Sequence, residues 1–454
     1  MCCLINLRHL VIEGTRLKEM PPQMCKLKNR QMLSYFVLGE NGGSRIKELG
    51  ELQSLCGSLC ILGLENVVDV GDVIQADLKN KEQLTELILE WKYGETDDST
   101  KERQVLDALK PHGKLKKLKI RGYWGTIFPD WVAHKSFSDF VEVSLIHCER
   151  CCLLPSFGQL PSLRKLEIEY MNGLESIGDE FCGTSLTKPF PSLESLRISH
   201  MDLLENWSFA GVEQRGELFP RLREIYLRDC KKLKLKVEIN SAYPSLERIK
   251  LDSCPRLESF SGMGLPSNLK GLDIHKCPML IADRMNWDLQ RLSSLQRLAL
   301  RGCEFEEAVD SFPEEGLLPS TLTSLWIWSF RNLKALHGKG FQQLISLQHL
   351  EIYYFEELES LPEEGLPLSL NYLFISICPL LKERCQRGTG EDWPKIQHIP
   401  NIMHFVPSPS SVCSNHLFSE GSNRTHLCSN PNPVQMFHPF PVAKQRKNPH
   451  FQYL

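Results

Sequence analysis

The sequence predicts an α/β solenoid: a curved stack of about fifteen short parallel strands lining a concave side, with an irregular, partly helical convex side. Three observations point to it. An apolar unit, L-x-x-L-x-[LI], recurs down the chain. Its central residue returns at a nearly constant interval. A buried-type residue then follows most copies at a fixed offset.

Clear copies of the unit are Leu7/Leu10/Ile12, Leu84/Leu87/Leu89, Leu115/Leu118/Ile120, Leu163/Leu166/Ile168, Leu193/Leu196/Ile198 and Leu222/Ile225/Leu227. They continue at Leu246/Ile249/Leu251, Leu269/Leu272/Ile274, Leu295/Leu298/Leu300, Leu322/Leu325/Ile327, Leu347/Leu350/Ile352 and Leu370/Leu373/Ile375. Degenerate copies fit at Leu33/Phe36/Leu38, Cys56/Leu59/Ile61 and Phe140/Val143/Leu145. Successive centres lie 23 to 31 residues apart, at or just above the roughly 20–29 residues of leucine-rich repeats. Five residues past the centre stands Cys148, Cys230, Cys254, Cys277, Cys303 or Cys378, or else Tyr123, Met171, Met201, Phe330 or Phe355. A leucine follows three residues later in most of these, as at Leu233, Leu257 and Leu280; after Cys303 its place is taken by Glu306.

The physics of such a chain is one-dimensional. One unit has a single apolar edge and cannot bury it alone, whereas stacked neighbours bury a continuous core. Strand side chains alternate, so the leucines and isoleucines turn inward and the x positions face solvent on the concave side. Pro161-Ser162, Pro191-Ser192, Pro244-Ser245 and Pro266-Ser267 mark turns on the convex side. Residues 101–110 place Val105, Leu106 and Leu109 on one face and predict a short helix. The Cys-Pro-x-Leu segments predict non-helical chain. Residues 1–402 form one repeat domain by this reading. Residues 403–454, rich in Ser, Pro, Asn and His and without a period, predict a disordered tail.

Composition narrows the function. With 42% hydrophobic and 24% charged residues the chain is globular in character, and a net charge of −3 favours neither nucleic acid nor an acidic membrane surface. No apolar run approaches the roughly 20 residues that span a bilayer. Met1-Cys2-Cys3-Leu4-Ile5-Asn6 lacks the basic start and apolar stretch of a secretion signal, so the chain is read as non-secreted and cytoplasmic. The 17 cysteines are then expected to be reduced thiols packed as small hydrophobes. Cys230, Cys254, Cys277 and Cys303 are expected at equivalent buried positions, unbridged.

Metal and catalytic chemistry find little support. His147, Cys148, Cys151 and Cys152 form the tightest cluster of ligand-type residues, but Cys148 falls in the buried slot of the repeat. Cys413, His416, His426 and Cys428 lie in the aperiodic tail. Neither set is read as a zinc site. There is no nucleophile elbow, H-E-x-x-H or dinucleotide fingerprint. Gly42-Gly43-Ser44 and Gly338-Lys339-Gly340 lack the spacing of a phosphate loop. No enzymatic activity, cofactor or metal is expected.

The concave face is more informative. Lys117, Lys119 and Arg121, followed by Arg164 and Lys165, give it a basic opening. Its middle strands mix charges. Its last strands carry Trp326, Trp328, Tyr353, Tyr354, Tyr372 and Phe374, and solvent-facing aromatics of this kind anchor protein interfaces.

Several segments together are similar to the repeat region of plant intracellular immune receptors, the coiled-coil nucleotide-binding leucine-rich-repeat disease-resistance proteins of the RPP13-like kind. They include Leu4-Ile5-Asn6-Leu7-Arg8-His9-Leu10, Leu17-Lys18-Glu19-Met20-Pro21 and Leu64-Glu65-Asn66-Val67. They extend through Leu87-Ile88-Leu89-Glu90-Trp91, residues 105–112, Phe128-Pro129-Asp130-Trp131, residues 154–161 and Glu391-Asp392-Trp393-Pro394-Lys395-Ile396. The resemblance covers residues 4 to about 402 and implies a protein-recognition module in plant defence and innate immunity. Its partner would be a pathogen effector, a guarded host protein, or a nucleotide-binding domain in another chain. With no phosphate loop, nucleotide binding is not carried over, and the chain is expected to be a truncated receptor. The alternative is a leucine-rich-repeat substrate adaptor of a ubiquitin ligase, or another protein-binding scaffold. Those adaptors carry a helical N-terminal domain and a helix after the repeat cysteine. The first repeat, with Leu7, Leu10, Ile12 and Leu17, has six residues ahead of it, so its stacking face is expected to be uncapped and frayed.

Overall fold

The computed structural model describes residues 9–10, 12, 18–26, 31–40, 43–92, 98–183, 188–208, 218–235, 243–260, 264–302, 309, 311–330 and 332–405. Cys303, Leu7, Leu17 and the expected tail beyond Phe405 lie outside them.

The repeating unit becomes strand because its inward residues are Leu, Ile and Val at every second position, a pattern with one apolar face. Among the described residues fifteen such strands form one parallel sheet, from Tyr35–Val37 to Asn401–Phe405, each hydrogen-bonded to its neighbours in sequence order. The centres pair directly, Leu196 with Leu166 and Ile225, and Leu272 with Ile249 and Leu298. These residues are fully buried, apart from a trace of exposure at Leu166, Ile225 and Ile249, in a single cluster running from Met20 to Ile399. The protein is thus a curved leucine-rich-repeat solenoid, as the repeat spacing predicts.

The same turn follows most strands. His147, Tyr170, His200, Asp229, Ser253, Lys276, Ser329, Tyr354 and Ile377 stand four residues past their centres, and all have left-handed backbone with φ between 50 and 64°. Gly122 holds that place with φ 69°, and there a Cβ would collide with the carbonyl oxygen of Trp91. The reversal aims the next residue back into the core. Tyr123, Cys148, Met171, Met201, Cys230, Cys254, Cys277, Phe330, Phe355 and Cys378 are all buried there.

On the convex side, the Pro-Ser turns have a mechanical role. Ser192 Oγ donates to the Pro161 carbonyl at 2.7 Å, and Ser245 Oγ to the Pro220 carbonyl at 2.7 Å, so each turn is pinned to the preceding repeat. Phe181, Phe190, Phe219 and Tyr243 stack behind the sheet at ring separations of 4.7 to 5.0 Å. The expected helix is present as Ser99–Ala108, capped by Asp98, whose carboxylate accepts from the Lys101 N–H at 2.9 Å.

Three details differ from the sequence reading. The degenerate copy at Leu33/Phe36/Leu38 is out of register: Phe36 pairs with Ile61 rather than Leu59, and Leu33 pairs with Leu10. Ser34 interrupts the strand there, and one extra residue is enough to shift a period-two pattern. The Cys-Pro-x-Leu segments at Cys277 and Cys378 are not irregular but begin the helices Pro278–Ala282 and Pro379–Arg384. Proline suits the first turn, where its missing N–H costs nothing. Finally, the sheet gains a strand, Asn401–Phe405, past the repeat at Leu373.

Shortly before that last strand lies an ion cluster around a buried carboxylate. Asp392 is fully buried; it accepts from Arg384 Nε at 3.2 Å, from the Leu361 N–H at 2.9 Å, and meets Lys395 Nζ at 2.9 Å. Burial opposes ionisation of this carboxyl, but the hydrogen bonds from Arg384, Leu361 and Lys395 outweigh it and hold it below the usual carboxylate range. A carboxyl held low contributes its full stabilisation above the ordinary carboxylate pKa and loses it as pH falls through its own lower value. Asp392→Asn is therefore expected to destabilise the chain near neutral pH, since it removes the charge assistance from the hydrogen bonds that Arg384, Lys395 and the Leu361 N–H make to it. In denaturant titrations the gap from wild type should narrow as the solution is acidified; a gap independent of pH would contradict the assignment.

Candidate functional site

The concave face follows from the register. From Lys117–Arg121 onward the five-residue strands turn their first, third and fifth residues toward the outer face, and the in-line pairing sets these into three columns that cross the sheet. Neighbours within a column sit one strand spacing apart, about 4.8 Å, so charges in a column are close enough to pair.

From the N-terminal strands to the middle, they do. Glu90 meets Arg121 at 3.5 Å, Glu142 meets Lys117 at 3.3 Å, and Glu167 meets Arg197 at 3.8 Å. Glu224 lies 3.5 Å from both Arg248 and Lys250, Asp252 3.7 Å from Arg228, and Asp273 3.0 Å from Arg297. The expected basic opening is accordingly interleaved with acid. Lys117 and Arg121 are each paired, while Lys119 forms no ion pair among the described residues. Sequence reading took one strand at a time, whereas the charges balance across strands.

The C-terminal strands differ. Trp326, Trp328, Tyr353, Tyr372 and Phe374 are half-buried on the outward face, and Tyr354, in the left-handed turn, is 45% exposed. The structure brings five of these six predicted residues together on three successive strands, Ser324–Trp328, His349–Tyr353 and Tyr372–Ser376, with Tyr354 in the turn that follows the second. It adds partners that sequence reading missed. His349 stacks on Tyr372 with centroids 4.4 Å apart and lies 5.2 Å from the Trp326 ring. Arg297 sits over Trp326 at 5.4 Å, and His275 packs edge-on to Trp328 at 5.4 Å across the strand that holds Arg301 between them. The register alone would have found His349, His275 and Arg297, because each occupies an outward column position.

A second feature was also missed. His147, Tyr170 and His200, three successive left-handed turn residues, stack at 4.1 Å along one rim of the sheet, and His200 Nε2 lies 3.2 Å from Asp229. Cys148 and Cys151 are buried, with Cys151 Sγ donating to the Gly125 carbonyl at 3.0 Å, whereas Cys152 is exposed. Among the described residues no group of three or more His, Cys, Asp or Glu is placed to hold a metal ion. Likewise among them, no helix is long and apolar enough to cross a membrane.

The in-register sheet, the left-handed turn and the buried cysteine slot together define a leucine-rich-repeat protein. Residues 46–171 match the family described as R13L1/DRL21 LRRs. The repeat region of this chain is related to that of plant disease-resistance proteins. It is 34% identical to an RPP13-like disease-resistance protein of Arabidopsis thaliana over 66% of this chain and 30% of that protein. It is 33% identical to the disease-resistance protein RGA4 of Solanum bulbocastanum over 87% of this chain and 39% of that protein. The chain thus spans between 30% and 39% of the length of these relatives. Among solved structures, a chain of the TLR13–ssRNA13 complex aligns over 90% of this chain and 66% of its own length, at 15% identity and a TM-score of 0.48.

The cysteine slot yields a direct expectation. Burial pushes the Cys148 thiol up to about 12 and the Cys378 thiol up to about 11, so neither forms a reactive thiolate near neutral pH. Native-state labelling with a maleimide, read by peptide mass spectrometry, should modify exposed Cys152 quickly and leave Cys230, Cys254 and Cys277, which no reagent can reach in the core, unmodified until the chain unfolds. Rapid native labelling of any of those three, or a disulfide between two of them, would contradict their placement.

Proposed function

We propose that this chain is the ligand-recognising repeat module of a plant intracellular immune receptor, acting in the cytoplasm without catalysis of its own. The observation that carries the proposal is the aromatic cluster from Trp326 to Phe374 on the outward face of the last strands. Rings of this size, half-exposed on a rigid sheet, contribute large contact area with little side-chain entropy to lose on binding. The relationship to disease-resistance proteins supports the setting. The ligand in this reading is a protein, either a pathogen effector or a host protein under surveillance. The charge-balanced N-terminal part of the face serves as spacing and solubility. The helices after Cys277 and Cys378 remove one distinction from ubiquitin-ligase adaptors, but the relatives favour the immune reading.

A photo-crosslinking amino acid at Tyr354 tests this in leaf tissue challenged with a pathogen. The control site is Ile345, 73% exposed and outside the sheet face. The expected result is a discrete adduct at Tyr354 that appears on challenge, is absent at Ile345, and falls at least about tenfold with Trp326→Ala plus Trp328→Ala, as for a loss of 1.4 kcal/mol or more. Adducts that form only at Ile345, or that ignore the tryptophans, would contradict the proposal.

A further inference from the structure

The aromatic patch has a carboxylate at its centre. In the register of the last strands, Glu351 stands between Trp326 and Phe374 in the middle column. Its flanking columns hold Ser324, His349 and Tyr372 on one side and Trp328, Tyr353 and Ser376 on the other. Glu351 is thus ringed by aromatic residues on a face that is otherwise charge-balanced.

Its pairing is unlike that of the carboxylates described above. Glu90, Glu142, Glu167, Glu224, Asp252 and Asp273 each face a lysine or arginine of an adjacent strand. Glu351 faces none among the described residues; its partner is His349, whose Nε2–H donates to Glu351 Oε1 at 2.7 Å. Two arginines stand two strands away, at the ends of Arg297–Arg301: Arg297 is held by Asp273 at 3.0 Å and by the Trp326 ring, and Arg301, in the column of Trp328, is exposed at the edge of the patch. His349 is itself fixed, stacked on Tyr372, so the carboxylate is positioned rather than loose.

A carboxylate among aromatic rings makes a site of one sign. The faces of Trp and Tyr rings carry negative charge, and a cation against them gains from ring and carboxylate together. An anion gains from neither, and a neutral donor gains only a hydrogen bond to the carboxylate. We propose that this patch receives a cationic side chain of the protein ligand, with arginine favoured. The planar guanidinium stacks on a ring and offers a fork of N–H donors to Glu351 at once, which a lysine ammonium does not. The proposal rests on the reading of this face as the ligand surface and adds the chemistry of the residue it selects.

The test uses the full chain labelled with 5-fluorotryptophan. The Trp326 and Trp328 resonances are assigned by Trp326→Phe and Trp328→Phe. N-acetyl-arginine methylamide and its neutral isostere N-acetyl-citrulline methylamide are titrated at constant ionic strength. The expected result is a saturable shift of the Trp326 resonance with the arginine compound, at least about fivefold weaker with the citrulline compound and with Glu351→Gln. Equal response to both compounds, an unchanged affinity in Glu351→Gln, or an equal shift of Trp124 outside the patch would overturn it. The outcomes separate from those of the crosslinking experiment. A challenge-dependent adduct at Tyr354 with no arginine preference refutes only the cationic selection. An arginine-selective patch with adducts elsewhere refutes the ligand-face reading.

Discussion

Everything in this fold depends on the register of its inward apolar rows. No repeat has a core of its own; each centre is buried because the centres before and after it lie alongside. A slip of one residue would turn every leucine of a strand outward, so the register is fixed as strongly as the burial it creates. The left-handed residue after the strand serves the same end. It reverses the chain within one residue and returns the next side chain to the interior, and it recurs even where the residue is poorly suited. Ile377 adopts φ 53° although a β-branched side chain disfavours that region, which shows how far stacking overrides local preference.

The concave face is a by-product of this register before it is a binding surface. Because outward residues align in columns, any charge placed there meets the residue of the next repeat. From Glu90 to Arg297 most charges on the face are answered by an opposite charge on a neighbouring strand. Beyond Arg301 the columns change to Trp, Tyr, Phe and His, with Glu351 inside them. The change of character along the face sets the C-terminal end of this solenoid apart from the rest of the sheet.

Most of this was legible in the sequence for a simple reason. A solenoid repeats its environment, so a residue's place is given by its offset from the nearest centre, and the outward aromatics and buried cysteines could be assigned by counting. What was not legible needed pairs rather than positions. The neutralised state of Lys117 and Arg121 depends on Glu142 and Glu90, which lie in other repeats. The stack of His147, Tyr170 and His200 depends on three turns adopting one backbone conformation. The register error at Phe36 has a different cause: with Ser34 interrupting the strand, Leu33 and Phe36 no longer mark a single alternating face. The strand at Asn401–Phe405 escaped because only Ile402 among its residues fits the repeat pattern.

The central claim is that stability passes between neighbouring repeats through the stacked centres. Leu272 is fully buried as the second residue of the strand Gly271–His275, and its replacement by alanine should cost about 2–5 kcal/mol. Residue-resolved hydrogen exchange on the Leu272→Ala chain tests the claim most directly. The account predicts protection lost most in that strand, less in the strands at Ile249 and Leu298, and progressively less with each further repeat in both directions. Loss confined to residues 271–275, or an equal loss across the whole sheet, would contradict it.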